Sequence, residues 1–172
     1  MLIVSLDTSS QVSSVAVLSE ERVAAEVSMQ GALTHSETLM PHIELALQMA
    51  RAKKTELDGI AVSIGPGSFT GLRIGLAAAK MMAYALNIPM ICVPTLEALA
   101  CHYAGSVGLR ILPMMDAQKG NVYVQEFRWR PEGEGVRLSE EHPLSILPLT
   151  EVLDALVGTE LPDVLLGDAT RR

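Results

Sequence analysis

Apolar and polar positions alternate in short runs at the start of the chain. Residues 2–6, 12–18 and 22–29 each read as a half-buried strand. Asp7, Thr8, Ser9 and Ser10 break the first run, Glu20 and Glu21 read as a hairpin turn, and Gly31 ends the third run. The pattern predicts an antiparallel meander. The period then lengthens. Leu39, Ile43, Ala46, Leu47 and Ala50 recur at helical spacing behind Thr34, and Glu37 stands three residues after Thr34 as a capping box requires. That helix ends near Ala52 among Arg51, Lys53 and Lys54, whose charges suit a helix C-terminus. Residues 59–64 form a fourth strand, GPGSFTG is a turn-rich loop, and a helix runs from Gly71 to about Leu86, where Asn87 and Pro89 stop it. Residues 89–93 form a fifth strand, and Thr95 is placed to cap a helix over 96–103.

The character changes after Gly105. Residues 111–115 are apolar, Lys119 and Gly120 make a turn, and 122–127 alternate like a strand. Residues 130–141 are polar and read as a long hairpin tip or a loose connection; a short helix over 151–157 and a strand over 162–166 follow. Three meander strands followed by βα units predict an α/β architecture, a mixed five-stranded sheet with helices on both faces. This lobe is assigned to 1–104. Residues 105–172 are read as a shortened, partial second lobe, because the last strand lies so near the end of the sequence.

Composition narrows the function. The net charge is −7 over 172 residues and there is no basic stripe, which disfavours direct binding of nucleic acid. The two cysteines, Cys92 and Cys101, lack metal-ligand spacing and have apolar sequence neighbours, so they read as reduced core thiols. The N-terminus has no signal-peptide pattern and no window is long and apolar enough to span a membrane, which points to the cytoplasm and away from membranes.

The stretch IGPGSFTGLRIGLAAAK raises the main chemical question, since a strand, a Gly-rich loop and a helix start together make an anion-binding arrangement. It lacks the lysine of a P-loop, and Thr70 stands where a dinucleotide fingerprint needs its third glycine. Direct nucleotide binding by some other arrangement stays open beside the second reading, a tight turn. Gly65 and Gly67 supply unusual φ or close approach, Pro66 stiffens the turn, and Ser68 or Thr70 caps the helix. On that helix Gly71, Gly75, Ala78 and Ala79 form a small-residue face, and only Arg73 and Lys80 are charged. On the preceding helix His42, Leu45 and Met49 flank the core stripe. Two readings stand: crowded core, or a partner interface made by His42, Leu45, Met49, Gly71, Arg73, Gly75, Ala78, Ala79 and Met82. The second predicts a homodimer when the chain is alone. His35 and His42 are seven apart, the wrong spacing for a metal pair, and His102 and His142 have no company. No Ser-His-Asp or Cys-His set is spaced for catalysis.

LIVSLDTSS with SVAVLSE, HSETLMPHIELAL, IGPGSFTGLRIGLAAAKMMAYALNIPMICVPTLEAL and MMDAQKGNVYV resemble the bacterial TsaB family, also called YeaZ, over residues 1–127 and more loosely through LLGDA. The resemblance implies an actin-like, sugar-kinase-like ATPase fold of the ribonuclease H-like kind. It implies no catalysis by this chain alone and no cofactor of its own. The implied role is that of partner to TsaD, the synthase that transfers a threonylcarbamoyl group to the adenosine beside the tRNA anticodon. The small ATPase TsaE joins the pair, and tRNA is met only through the complex. TsaD relatives carry a paired-histidine metal motif from which Met40-Pro41-His42 departs. In actin-like ATPases the end of the first strand holds a phosphate or metal, which marks Asp7, Thr8 and Ser9, with Asp116, as candidates for ATP or ADP with magnesium at a partner interface. The same residues also suit plain turns. Two alternatives follow: an active ATPase or kinase using Asp7 and Asp116, and a stand-alone metallopeptidase, which the histidine spacing disfavours.

Overall fold

The computed structural model describes residues 1–30, 34–157 and 161–171, so the break expected at Gly31 lies outside the described residues. The chain divides into two compact units, Met1–Pro94 and Thr95–Arg172.

In the first unit β1 (Leu2–Asp7), β2 (Val12–Ser19) and β3 (Val23–Gln30) form the expected meander, and β4 (Gly59–Ser63) and β5 (Met90–Val93) extend it in the order β3-β2-β1-β4-β5. The β1–β2 and β2–β3 pairs are antiparallel, and β1–β4 and β4–β5 are parallel. This is the mixed five-stranded sheet that the sequence pattern predicts. The register sets Val4 beside Val17 and Ile60, and Leu6 beside Val15 and Val62. Side chains alternate across a strand, so all six share one face, and none is more than 1% exposed. Helices α1 (His35–Met49) and α2 (Phe69–Leu86) both cover that face. Leu39, Ile43 and Ala46 of α1 and Ala78 and Ala79 of α2 complete a single core.

The helix starts obey their sequence signals. The Glu37 carboxylate accepts the Thr34 N–H at 2.9 Å, closing the capping box. Helix α2 begins at Phe69, earlier than expected, because the Ser68 hydroxyl oxygen accepts the Gly71 N–H at 3.2 Å. It ends at Asn87, whose left-handed φ of 54° terminates the helix.

The second unit contains β6 (Arg110–Asp116), β7 (Asn121–Glu132), β8 (Gly135–Pro148) and β9 (Val164–Leu166), in the order β8-β7-β6-β9. Here helices do occupy both faces. Ile111 and Met115 of β6 pack with Leu96 and Ala100 of α3 (Thr95–Ala100). Leu112 and Met114 point the other way, toward Val152 of α4 (Leu149–Val157). The boundary between units therefore precedes α3 instead of following it at 104. Leu96 is fully buried among second-unit residues, and Trp129 Nε1 donates to the Ala100 carbonyl at 3.3 Å. Thr95 does not cap its helix, since its hydroxyl is buried and has no hydrogen-bond partner among the described residues.

Residues 130–141 are the tip of a long hairpin and not a loose connection, with the turn at Gly133 and Glu134. They continue the β7–β8 ladder, with Arg130 opposite Arg137, and the Arg130 guanidinium donates to both Glu141 carboxylate oxygens. The cysteine expectation also fails. Cys92 and Cys101 are free thiols, as expected, but both are exposed. Cys92 lies on β5, an edge strand, so apolar sequence neighbours do not become a spatial enclosure. Among the described residues no helix is long and apolar enough to cross a membrane.

Candidate functional site

The turn that ends β1 is tied to both helices of its unit. Asp7 Oδ1 accepts the Ser9 N–H at 2.8 Å, which closes a local turn. The Thr8 hydroxyl donates to the Gly71 carbonyl at 2.8 Å. The Ser9 carbonyl accepts the Ser68 N–H at 2.6 Å. His35 Nε2 lies 2.8 Å from the Ser10 carbonyl and donates to it. The β1–β2 turn, the glycine loop and the first turns of α1 and α2 thus form one bonded knot.

This knot answers the question posed by the glycines. A Cβ on Gly67 would overlap the Ser9 carbonyl, one on Gly71 the Thr8 carbonyl, and one on Gly75 the Thr8 hydroxyl. Gly65 has a φ of 105°, a conformation that favours glycine. The glycines serve close backbone approach, which is the tight-turn reading. Thr8 and Ser9 are 1% and 2% exposed and bonded within the chain, so as held they do not fit a phosphate loop. Asp116, in the second unit, closes a comparable turn. Its Oδ1 accepts the Gln118 N–H and its own N–H donates to Asp168 Oδ1, each at 2.9 Å. Among the described residues no three His, Cys, Asp or Glu side chains gather to hold a metal.

The expected interface residues divide by direction. Gly71, Gly75, Ala78 and Ala79 are buried, turned toward the sheet, so the small-residue face seats α2 on β1 and is not open to a foreign helix. His42 is buried as well, with Nδ1 3.4 Å from the Ser13 hydroxyl of β2, and Met82 packs half-buried on its own core. Leu45, Met49 and Arg73 do face outward.

Sequence reasoning missed the residues that accompany them: Met40 on α1 and Phe69, Met81 and Tyr84 on α2, of which Tyr84 is 90% exposed. Phe69, Arg73, Ala77 and Met81 recur every four residues and Tyr84 follows three on, a spacing that would have marked them as one strip. The Arg73 guanidinium sits 5.2 Å from the centre of the Phe69 ring, a cation–π contact on an otherwise apolar strip. Two shallow hollows border the strip. One, about 380 Å³, is lined by Thr70, Arg73, Ile74 and Ala77. The other, about 300 Å³, opens among Gln11, Thr34, His35 and Ser68.

Comparison with known proteins places this geometry in context. Residues 27–140 match the family model for TsaD, tRNA N6-adenosine threonylcarbamoyltransferase. The chain is 34% identical over 170 residues to the tRNA threonylcarbamoyladenosine biosynthesis protein TsaB of Bacillus subtilis, covering 99% of this chain and 72% of that protein. It is 32% identical to Escherichia coli TsaB over 74% of this chain, and spans 55% of that relative's length. Among solved structures, YeaZ from Pseudomonas aeruginosa superposes with a TM-score of 0.75 at 26% identity, over 97% of this chain and 84% of that one.

Proposed function

The chain belongs to the TsaB family of tRNA threonylcarbamoyladenosine biosynthesis proteins, and from that premise we propose that it is a non-catalytic subunit that binds TsaD and supports threonylcarbamoyl transfer to the adenosine beside the tRNA anticodon. The observation that carries this reading is the apolar strip on the outer sides of α1 and α2. Leu45 and Met49 on one helix and Phe69, Met81 and Tyr84 on the other are large apolar side chains left exposed, a surface that a partner would cover. Methionine-rich surfaces adapt to a partner's shape.

The buried, internally bonded Thr8 and Ser9 support a subunit without a phosphate loop of its own. The net charge of −7 supports an encounter with tRNA only inside the complex. The strip pairs with its symmetry mate in a homodimer until TsaD displaces that copy, TsaE acts on the assembled pair, and the cytoplasm is where it works. The test is the double variant Leu45→Lys/Met49→Lys. It keeps a cooperative melt, fails to co-elute with TsaD, and lowers tRNA modification in a reconstituted mixture by about tenfold or more, ~1.4 kcal/mol of binding. Full TsaD binding by this variant, or none by the unaltered chain, would refute the proposal.

A further inference from the structure

The second unit holds a hollow of about 440 Å³ between α4 and the sheet, well apart in sequence from the α1–α2 strip. Leu112, Val124, Val152 and Leu156 wall it. Arg110, Gln125, His142, Ser145 and Glu151 also line it, and the most buried of its polar groups is Glu126. Glu126 is only 9% exposed although it carries a carboxylate. Its Oε1 accepts from Arg110 Nε at 2.9 Å. Its Oε2 makes no hydrogen bond among the described residues; His142 Nε2 stands 3.8 Å away, too far for a hydrogen bond and an ion pair only when the imidazole is protonated. A nearly buried carboxylate with one oxygen lacking a donor is costly unless something supplies that donor.

We propose that this hollow binds an arginine or lysine side chain carried on an apolar segment of a partner polypeptide, with its cationic head on Glu126 Oε2. The charge balance selects the sign. Glu126 and Glu151 both line the hollow, against the Arg110 guanidinium, which is already engaged with Glu126, and the exposed imidazole of His142. An anion would meet a surplus of carboxylate, whereas a cation gains a charge-assisted bond in a largely apolar enclosure. The shape selects the carrier. The next strip of α4 exposes Leu153 and Val157, so apolar residues flanking the basic one would cover side chains that a free amine leaves in water. This site is independent of the TsaD-binding strip.

The experiment is titration of the whole chain, followed by backbone amide NMR shifts, with three probes: a blocked leucine–arginine–leucine tripeptide, its glutamate counterpart, and n-hexylguanidinium. The arginine peptide shifts Glu126, His142 and Val152 saturably and binds about tenfold or more tighter than either other probe. Ala155→Trp fills the exposed mouth of the hollow, Glu151→Lys removes the rim charge, and Glu126→Gln removes the acceptor. Each weakens the arginine peptide by about tenfold while the spectrum stays folded. Equal binding of the glutamate peptide, no saturable shift in the unaltered chain, or unchanged affinity in Ala155→Trp overturns the site. Tighter binding of n-hexylguanidinium overturns the polypeptide source.

Discussion

The Thr8 hydroxyl donates to the Gly71 carbonyl at 2.8 Å across 63 positions of sequence, and its oxygen occupies the space a side chain at Gly75 would need. Strand β1 and helix α2 are drawn together until neither glycine has room for a methyl group. This relationship fixes the direction in which α2 presents everything else.

Gly75→Ala therefore destabilises the chain. The helix gains about 1 kcal/mol of propensity, but overpacking against Thr8 costs about 1–3 kcal/mol and wins. The Thr8 side chain is a rotor, and removing it relieves the overlap. A denaturation cycle with Thr8→Ala should show the double variant less destabilised than the sum of the singles, by ~0.5–3 kcal/mol. Gly71→Ala is worse, because the atom it meets is the Thr8 carbonyl, which cannot rotate away. Additive costs, or a Gly71→Ala that melts like the unaltered chain, would contradict the packing described.

The same relationship marks the limit of what the sequence discloses. Period and caps locate elements well: the meander, the Thr34–Glu37 box and the Ser68 cap all stand. Helical spacing shows which residues share a face, but not which face meets the sheet. Gly71, Gly75 and Ala79 suit a foreign helix and a nearby strand equally, and only Thr8 decides between them. His42 lies one step from both the core stripe and the outer strip, and its bond to Ser13 puts it inside. Along 130–141 both strand faces carry charge, so there was no alternation to read.

Glu37 gives α1 a pH dependence. Hydrogen bonds from the Thr34 hydroxyl and then the Thr34 N–H hold its carboxyl below the ordinary glutamate range. A depressed folded value means stabilisation that is complete above the unfolded pKa and lost as pH falls through the folded one. Thr34→Ala should thus narrow the stability difference on acidification, and the Glu37 carboxyl carbon should titrate higher in the variant. A stability gap that ignores pH through the carboxylate range counts against it.

Cys101 is exposed as a residue, yet its thiol is partly buried and its thiolate disfavoured. Burial of the thiol, and then the negative charge of Glu97, push its pKa above the ordinary cysteine range, and only the thiolate reacts. In a Cys92→Ser background, reaction with a disulfide reagent at neutral pH should speed up in Glu97→Gln and more so in urea, since burial is the larger cause. A rate unaffected by either would show that the environment of Cys101 is misassigned.

The single tryptophan reports on the second unit. Trp129 is buried beside Leu96 and Ala100 of α3, so α3 and the sheet should lose structure together. Leu96→Ala removes a fully buried side chain and should cost ~2–5 kcal/mol. The fluorescence transition shifts to lower denaturant accordingly. If Leu96→Ala leaves that transition in place, α3 belongs with the first unit and the boundary lies after it.

The outer strip separates packing from association. Tyr84 at 90% exposure and Phe69 at 75% contribute little to their own fold, so Tyr84→Lys and Phe69→Ser should change the melt by less than about 0.5 kcal/mol. If the strip closes a homodimer, both lower the mass seen by light scattering at a given concentration, because each puts a polar group into a desolvated contact. Gly75→Leu behaves oppositely: its side chain runs into Thr8, so the cooperative melt is lost before any question of assembly arises. Arg73→Glu falls between. It keeps the fold, replaces an attraction to the Phe69 ring with a repulsion, and shifts partner preference through charge. A Gly75→Leu chain that melts cooperatively, beside Tyr84→Lys and Phe69→Ser chains that keep the unaltered mass, would reverse the inside and the outside of α2.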